Sequence, residues 1–321
     1  MISNLILFFS YIQKKMMIDF RSVSLSDRKL LISFLYPSDR RDSNLSFANL
    51  CCWQFLTCSS FAVIEGQLVF RFCFPARKTV YTLPAGEKAG QEVIRHLAQQ
   101  AMEENMPLYL YGIVPEMKEQ LENIFPGVFE YREERDHFDY LYLRMDLARL
   151  QGKAYQTKRN HVNKFRKNYD YRYTPMTAEM VQDCLVMYDE WCEARHCEEE
   201  VSLVYERQAL KYGMEHFQEL GLLGGVLWVD GKIIAFTFGA AINRDTFCVH
   251  AEKALLTYEG AYNTINWEFA NQLPGHYIYL NREEDLGVPG LRKAKLSYRP
   301  VQLLEKGIAV CAEGLWDRLL S

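Results

Sequence analysis

The run GVLWVDGKIIAFTFGAAI, residues 225–242, decides the fold class. Its two arms are rich in Val, Ile and Phe, and Asp230-Gly231 stands between them. A two-residue hairpin turn needs left-handed backbone at both central positions, which Asp and Gly tolerate, so this is the strongest hairpin signal in the chain. Residues 243–245 form a second turn into TFCVHAE, giving a three-stranded meander. Residues 260–273 then read as a helix, and HYIYLN, 276–281, as a strand. The first half of the chain keeps the same rhythm. SFAVIEGQLVFRFCF, 60–74, is a hairpin split at Glu65-Gly66, and residues 87–104 place Val93, Ile94, Leu97 and Ala101 on one helical face. LYLYGIV, 108–114, is a buried strand, and Pro115 opens a short helix that runs to Phe125. Hairpins that precede the helix predict mixed, mostly antiparallel sheets rather than a doubly wound parallel one. The expected class is α+β in two similar units, residues 17–149 and 150–321, the second opening on a basic linker at 152–173. Residues 129–147 supply two more strand-like pieces, and VQLLEKGIAV, 301–310, a closing strand or hairpin.

Composition narrows the function. The chain has 321 residues, 49% apolar and 24% charged, with a net charge of -4, which describes a globular protein and not one that coats nucleic acid. Aromatic residues reach 14%, enough for an aromatic-lined cleft. Nine cysteines are an odd number without a CxxC, so reduced buried thiols and no metal site are expected, in a cytoplasmic protein. Residues 2–12 are apolar, but a membrane span needs about 20 such residues. Residues 1–16 therefore read as an N-terminal extension of uncertain status, with weak membrane-surface contact as its alternative use. Neither GxGxxG nor GxxxxGK[ST] occurs, which removes the main support for nucleotide-cofactor and P-loop readings.

Three segments concentrate chemistry. Residues 152–173 hold Lys153, Lys158, Arg159, Lys164, Arg166, Lys167 and Arg172 against one acid, Asp170. On a helix these make a phosphate-binding face, for RNA, a phosphopantetheine or an anionic lipid head; a solvated helix is the plainer reading. Residues 281–300, NREEDLGVPGLRKAKLSYRP, follow a core strand and bring Glu283 and Asp285 close to Arg292 and Lys295 through a Gly/Pro turn. Residues 250–267 end a strand at His250 and Glu252 and open a helix near Glu259-Gly260, where backbone N–H groups can hold an anion; ordinary capping is the alternative.

With those residues quoted, a resemblance follows. YLNREEDLGVPGLRKAKLSYRPVQL and LARLQGKAYQTKRNHVNKFRK resemble an uncharacterised bacterial family related to the C-terminal catalytic domain of phosphatidylglycerol lysyltransferases. The matching positions are Lys158, Arg159, Asn281, Arg282, Asp285, Gly287, Gly290, Arg292 and Lys295, and the resemblance covers most of 17–309. It implies two tandem GNAT-like (acyl-CoA N-acyltransferase-like) units and kinship with the Fem-type aminoacyl transferases. The lysyltransferases' multi-span flippase region has no counterpart here, so a lipid substrate is not carried over. The loop Thr257-Tyr258-Glu259-Gly260-Ala261 has one glycine and lacks the acyl-CoA signature of GNAT enzymes.

The resulting expectation is an acyl or aminoacyl transferase that works on an amine or hydroxyl, with no required cofactor and with aminoacyl-tRNA or an acyl-CoA as donor substrate. Asp285 or Glu283 is the expected base, with Glu252 in reserve, and Arg292 the charge stabiliser whose loss should abolish transfer without unfolding the protein. Lys158, Arg159, Lys164, Arg166, Glu259, Gly260, Asn281, Arg282 and Lys295 are the expected donor-binding groups. A small molecule or a lipid head is the expected acceptor; the alternatives are a non-catalytic binder on a degenerate GNAT scaffold, holding tRNA, an anionic metabolite or a membrane surface, and an acyl-CoA N-acyltransferase with a tunnel beside Gly260.

Overall fold

The computed structural model describes residues 18–74, 78–86, 90–311 and 313–320. The expected extension at 1–16 lies outside the described residues.

The first half of the chain carries β1 (Arg21–Ser22), α1 (Arg28–Leu35), α2 (Phe47–Cys52), α3 (Gln54–Thr57), β2 (Ser60–Ile64), β3 (Gln67–Phe74) and β4 (Lys78–Thr82). It continues with α4 (Gln91–Glu103), β5 (Leu108–Ile113), α5 (Pro115–Ile124), β6 (Glu130–Glu133), β7 (Asp139–Leu143) and α6 (Arg144–Arg149). The second half carries α7 (Gln156–Asn168), β8 (Tyr171–Pro175), α8 (Val181–Arg195), α9 (Val201–Glu215), β9 (Leu223–Val229), β10 (Lys232–Ala241) and β11 (Thr246–Ala254). It ends with α10 (Ala261–Gln272), β12 (Tyr279–Asn281), α11 (Pro289–Leu296), β13 (Gln302–Leu304), β14 (Gly307–Cys311) and α12 (Trp316–Leu320).

The two hairpin turns form where expected. Glu65-Gly66 and Asp230-Gly231 all have positive φ, between 49° and 78°, the geometry that matches the twist of the flanking strands. Each half then crosses over through a helix, α4 or α10, into a parallel strand: β4 pairs parallel with β5, and β11 with β12.

The sheets correct the expected division. Their orders are β1-β2-β3-β4-β5-β14-β6 and β13-β7-β12-β11-β10-β9-β8. Each half contributes seven strands in matching order, but its seventh strand sits in the other half's sheet. β14 pairs antiparallel with β5 and β6, while β7 pairs antiparallel with β12 and β13. The units expected over 17–149 and 150–321 thus exchange a strand. VQLLEKGIAV forms two strands in different sheets, not a hairpin, and the two pieces predicted in 129–147 also part company. The exchange lets β5 and β12, each left by its helical crossover with an open edge, gain a partner and satisfy its backbone groups.

One apolar core runs through both halves, joining Leu31, Leu50, Phe61 and Phe70 to Tyr188, Met214, Phe236 and Phe238. A second core packs α4 and α12 on the first sheet, and a third packs Tyr140 and Tyr142 of β7 against Phe247 and Phe269 of the second half. Most of the cysteines are buried, Cys58 being exposed. Among the described residues no helix is long and apolar enough to cross a membrane.

Candidate active site

β12 pairs with β11 only at Thr246–Cys248, and beyond Asn281 the two strands separate. The chain leaving β12 turns sharply, with Glu283, Leu286 and Gly287 all at positive φ. Non-glycine residues persist there only when their surroundings hold them, and such strain gathers at functional sites. Asn281 is one of the restraints. It is fully buried; its Oδ1 accepts the Glu283 N–H at 2.7 Å, and its Nδ2 donates to Asp139 and to the Arg41 carbonyl. Lys295 of α11 is another, its Nζ donating to the carbonyls of Arg282 and Glu284. Burial pushes the Lys295 pKa down to about 8, with Glu283 opposing the shift and Arg282 adding to it.

The three consecutive acids of this loop meet different fates. Asp285 is fully buried and accepts from Arg292 at 2.8 and 2.9 Å, from Arg135 at 3.1 Å, from the Tyr140 hydroxyl at 2.5 Å and from the Gly287 N–H at 2.9 Å. Burial alone would raise its pKa, but the hydrogen bonds from Arg292, Tyr140 and Gly287 and the charge of Arg292 hold it well below the usual carboxylate range. The expected base role for Asp285 is therefore corrected: both its oxygens are occupied and it does not take up a proton near neutrality. Arg292 is spent on Asp285 and Asp136, at 2.6 Å from the latter, and acts as an anchor of the loop.

Glu284 is held by Lys306 at 2.6 Å and His137 at 3.3 Å. Burial would raise its pKa, but the Lys306 charge and these two hydrogen bonds bring it to about 2. Lys306 is fully buried and also donates to Asp139 at 2.9 Å and to Asn44 at 2.6 Å. Burial opposes the charge on Lys306, yet Asp139 and Glu284 outweigh it and raise its pKa well above the ordinary lysine value. This cluster ties β7, the loop before β14 and the loop after β12 to Ser43 and Asn44 of the first half.

Glu283 is different. Its Oε1 accepts from His250 Nδ1 at 2.8 Å, from Asn49 Nδ2 at 3.0 Å and from Cys248 Sγ at 3.7 Å. A carboxylate only accepts, so His250 presents an N–H on Nδ1 to Glu283, while its Nε2 is hydrogen-bonded to the Ser46 hydroxyl, 2.9 Å away. Among the described residues the second oxygen of Glu283 has no partner. The side chain is 28% exposed and lines a cavity of about 360 Å³ between the halves. Leu50, Trp53, Phe72, Phe74, Tyr111 and Tyr205 form most of its apolar wall. Ser46, His250 and Glu283 have the order of a hydrolytic triad, but Ser46 is fully buried at the start of α2, and its hydroxyl meets no substrate. Among the described residues, Cys248, His250 and Glu283 bring their ligand atoms within 4.8 Å of one another and could hold a metal ion, where the sequence led to the expectation of none.

The remaining expected residues divide into two groups. Glu252 accepts from Arg282 at 2.8 Å and from Asn266 at 3.0 Å, so its carboxylate is engaged. Lys158 lies 4.0 Å over the Tyr298 ring and Arg282 lies 4.9 Å from the same ring, which links α7 to the loop. Burial and the neighbouring Arg282 lower the Lys158 pKa. Arg159 donates to the Leu150 and Gly152 carbonyls and staples the connection between the halves, and Lys164 pairs with Glu259 at 2.6 Å on the surface. Arg166 is exposed and reaches over Trp267. Gly260 has φ 91°, and a Cβ there would lie 2.7 Å from the His161 carbonyl, so this glycine serves helix packing against α7. Lys153, Lys164, Arg166, Lys167 and Arg172 are exposed, Lys153 before α7, Lys164, Arg166 and Lys167 on it, and Arg172 on β8 over the Trp228 ring.

The family described as phosphatidylglycerol lysyltransferase, C-terminal, matches residues 37–309. The chain belongs to that family. A protein of unknown function from Bacteroides thetaiotaomicron VPI-5482 is 48% identical, with a TM-score of 0.90 over 92% of this chain and 100% of that one. L-PGS from Bacillus licheniformis is 14% identical with a TM-score of 0.60, covering 92% of this chain and 96% of that one. FemX is 8% identical with a TM-score of 0.57, covering 95% and 100%. The last two likenesses are of fold alone: two mixed sheets with flanking helices. An uncharacterized protein of Mycoplasmoides gallisepticum is 25% identical over 175 residues, and the chain spans 54% of that relative's length.

For this phosphatidylglycerol lysyltransferase C-terminal family member, sequence reasoning missed Ser46, Asn49, His137, Asp139 and Lys306. A signal existed for two of them. Asp139 opens the apolar run DYLYL, and Lys306 stands between LLE and GIAV; a charge inside a core strand calls for a buried partner.

Proposed function

We propose that the protein is an aminoacyl transferase that moves an aminoacyl group from aminoacyl-tRNA to an amine or hydroxyl acceptor. The observation that carries this reading is Glu283, whose carboxylate is fixed through one oxygen and open through the other at the wall of a cavity between the halves. Family membership supports the reaction class. In the step envisaged, the acceptor attacks the ester carbonyl carbon and the bond from that carbon to the ribose oxygen breaks. Glu283 takes the acceptor's proton and the ribose oxygen regains one. Exposed Arg166 and Lys167 of α7 and Arg172 of β8 are suited to the phosphates of the donor, which is itself a cytoplasmic molecule. An acyl-CoA donor gains nothing at Gly260, where α7 fills the space.

A second reading, a non-catalytic binder, draws on the locked states of Asp285 and Glu252. Binding of charged tRNA, uncharged tRNA and acetyl-CoA at two salt concentrations separates the readings. Salt-sensitive binding of tRNA, tighter when charged, is expected, since phosphate contacts weaken steeply with salt. Acetyl-CoA binding alone would move the protein to the acyl-CoA transferases. Equal binding of charged and uncharged tRNA, without transfer to any acceptor, would leave a binder.

A further inference from the structure

The cavity beside Glu283 joins two features that select a ligand. Its walls are largely apolar and aromatic, with the mutually packed Phe72, Phe74 and Tyr111 and with Trp53 and Tyr205, both of which pack on Phe55. One carboxylate oxygen opens into it, and that carboxylate cannot turn away, because His250, Asn49 and Cys248 hold its other oxygen. His250 is in turn held by buried Ser46. A fixed anionic oxygen against apolar walls is costly unless a cation meets it, and aromatic faces add to the attraction for an organic cation. Neighbouring Glu284 is already paired with Lys306 and His137, so the open oxygen of Glu283 is the anionic group the cavity leaves for a ligand.

We infer that this cavity binds a protonated amine with an aromatic or branched apolar body, its ammonium group on the open oxygen of Glu283 and its body against Trp53, Phe74 and Tyr205. Its assignment as the acceptor site rests on the transferase reading; the binding itself does not. The volume of about 360 Å³ suits an arylalkylamine with room for the reacting carbonyl. In transfer, the ammonium group loses one proton to Glu283 and the free amine attacks the donor's ester carbonyl. The new C–N bond forms as the ester C–O bond breaks, and a second nitrogen proton goes to the departing ribose oxygen.

The test is calorimetric binding of three isosteres: phenethylamine, 2-phenylethanol and phenylacetate. Phenethylamine should bind at least about tenfold more tightly than the other two, the worth of one charge-assisted hydrogen bond. Glu283→Gln, which keeps the shape and removes the charge, should erase that preference while leaving the melting temperature unchanged, and Trp53→Leu should weaken all three ligands. Equal affinity for the alcohol, preference for the carboxylate, or an unaltered preference in Glu283→Gln would overturn the inference. So would stoichiometric zinc binding that blocks the amine and disappears in Cys248→Ser, because the cation of the site would then be a metal. Selective amine binding without any transfer from charged tRNA would keep the cavity's ligand assigned and remove the transferase reading alone.

Discussion

Glu283 and Asp285 stand two residues apart on one loop and are built for opposite tasks. Asp285 is enclosed, with two arginines, a tyrosine hydroxyl and a backbone N–H on its oxygens. Glu283 spends one oxygen on the scaffold and presents the other to a cavity. A carboxylate whose partners are complete is an anchor, since any new proton or ligand must first displace a charge-assisted hydrogen bond. One with a free oxygen can exchange protons and partners. The locked acids of the loop hold the strained backbone that aims the open one.

The comparison can be broken by substitution. The largest expected effect is on activity: Glu283→Gln should lower aminoacyl transfer by about 10²–10⁴-fold, the usual span for a general base, with the fold retained because the amide oxygen can still accept from His250 and Asn49. A steady-state assay beside thermal melts checks both halves of that statement, and a large loss of stability would mean that Glu283 is an anchor too. Next comes Lys306→Met, which strands Asp139 and Glu284 without their shared cation. Removing one partner from a buried ionic cluster costs about 3–5 kcal/mol, readable in urea unfolding. Arg292→Ala is expected to be milder, about 1–3 kcal/mol, because Arg135 and Tyr140 remain on Asp285. Transfer per folded molecule should then survive in part, in contrast to the abolition that the sequence alone suggested.

The pH dependence sharpens the same contrast. Glu284, at about 2 in the folded state against an ordinary 4.5, and Asp285, also depressed, contribute stability that is fully present above the unfolded values. That contribution is lost as pH falls through the folded values, so acid unfolding should steepen from about pH 4.5 downward. Asp285→Asn should flatten the slope, and an unchanged acid profile would contradict the locked state. The smallest effect belongs to the exposed basic residues: Lys167→Ala should reduce the salt slope of tRNA binding by about one unit and leave the melting temperature alone.

Much of the architecture was legible because its signals are local. Asp230-Gly231 and Glu65-Gly66 impose their turns through backbone sterics, and the buried face of α4 follows from apolar spacing. The loop carrying Glu283, Asp285 and Arg292 also stood out, since polar residues after a core strand with a Gly/Pro turn seldom serve packing alone. Which of its acids is open could not be read there. That depends on Arg135 and Tyr140 reaching Asp285, on Lys306 reaching Glu284 and on Asn49 with His250 reaching Glu283, over sequence separations that carry no periodic trace.

The sequence by itself determined the two hairpins, the helices that follow them, the buried strand at 108–114 and the chemical richness of residues 281–300, because turn geometry and amphipathic spacing act within a few residues. Only the tertiary structure decided that β7 and β14 change sheets, that Gly260 is a packing glycine and that Glu283 faces a cavity. Edge strands accept any partner of matching register, and a carboxylate's role is set by the groups that surround it, which folding alone brings together.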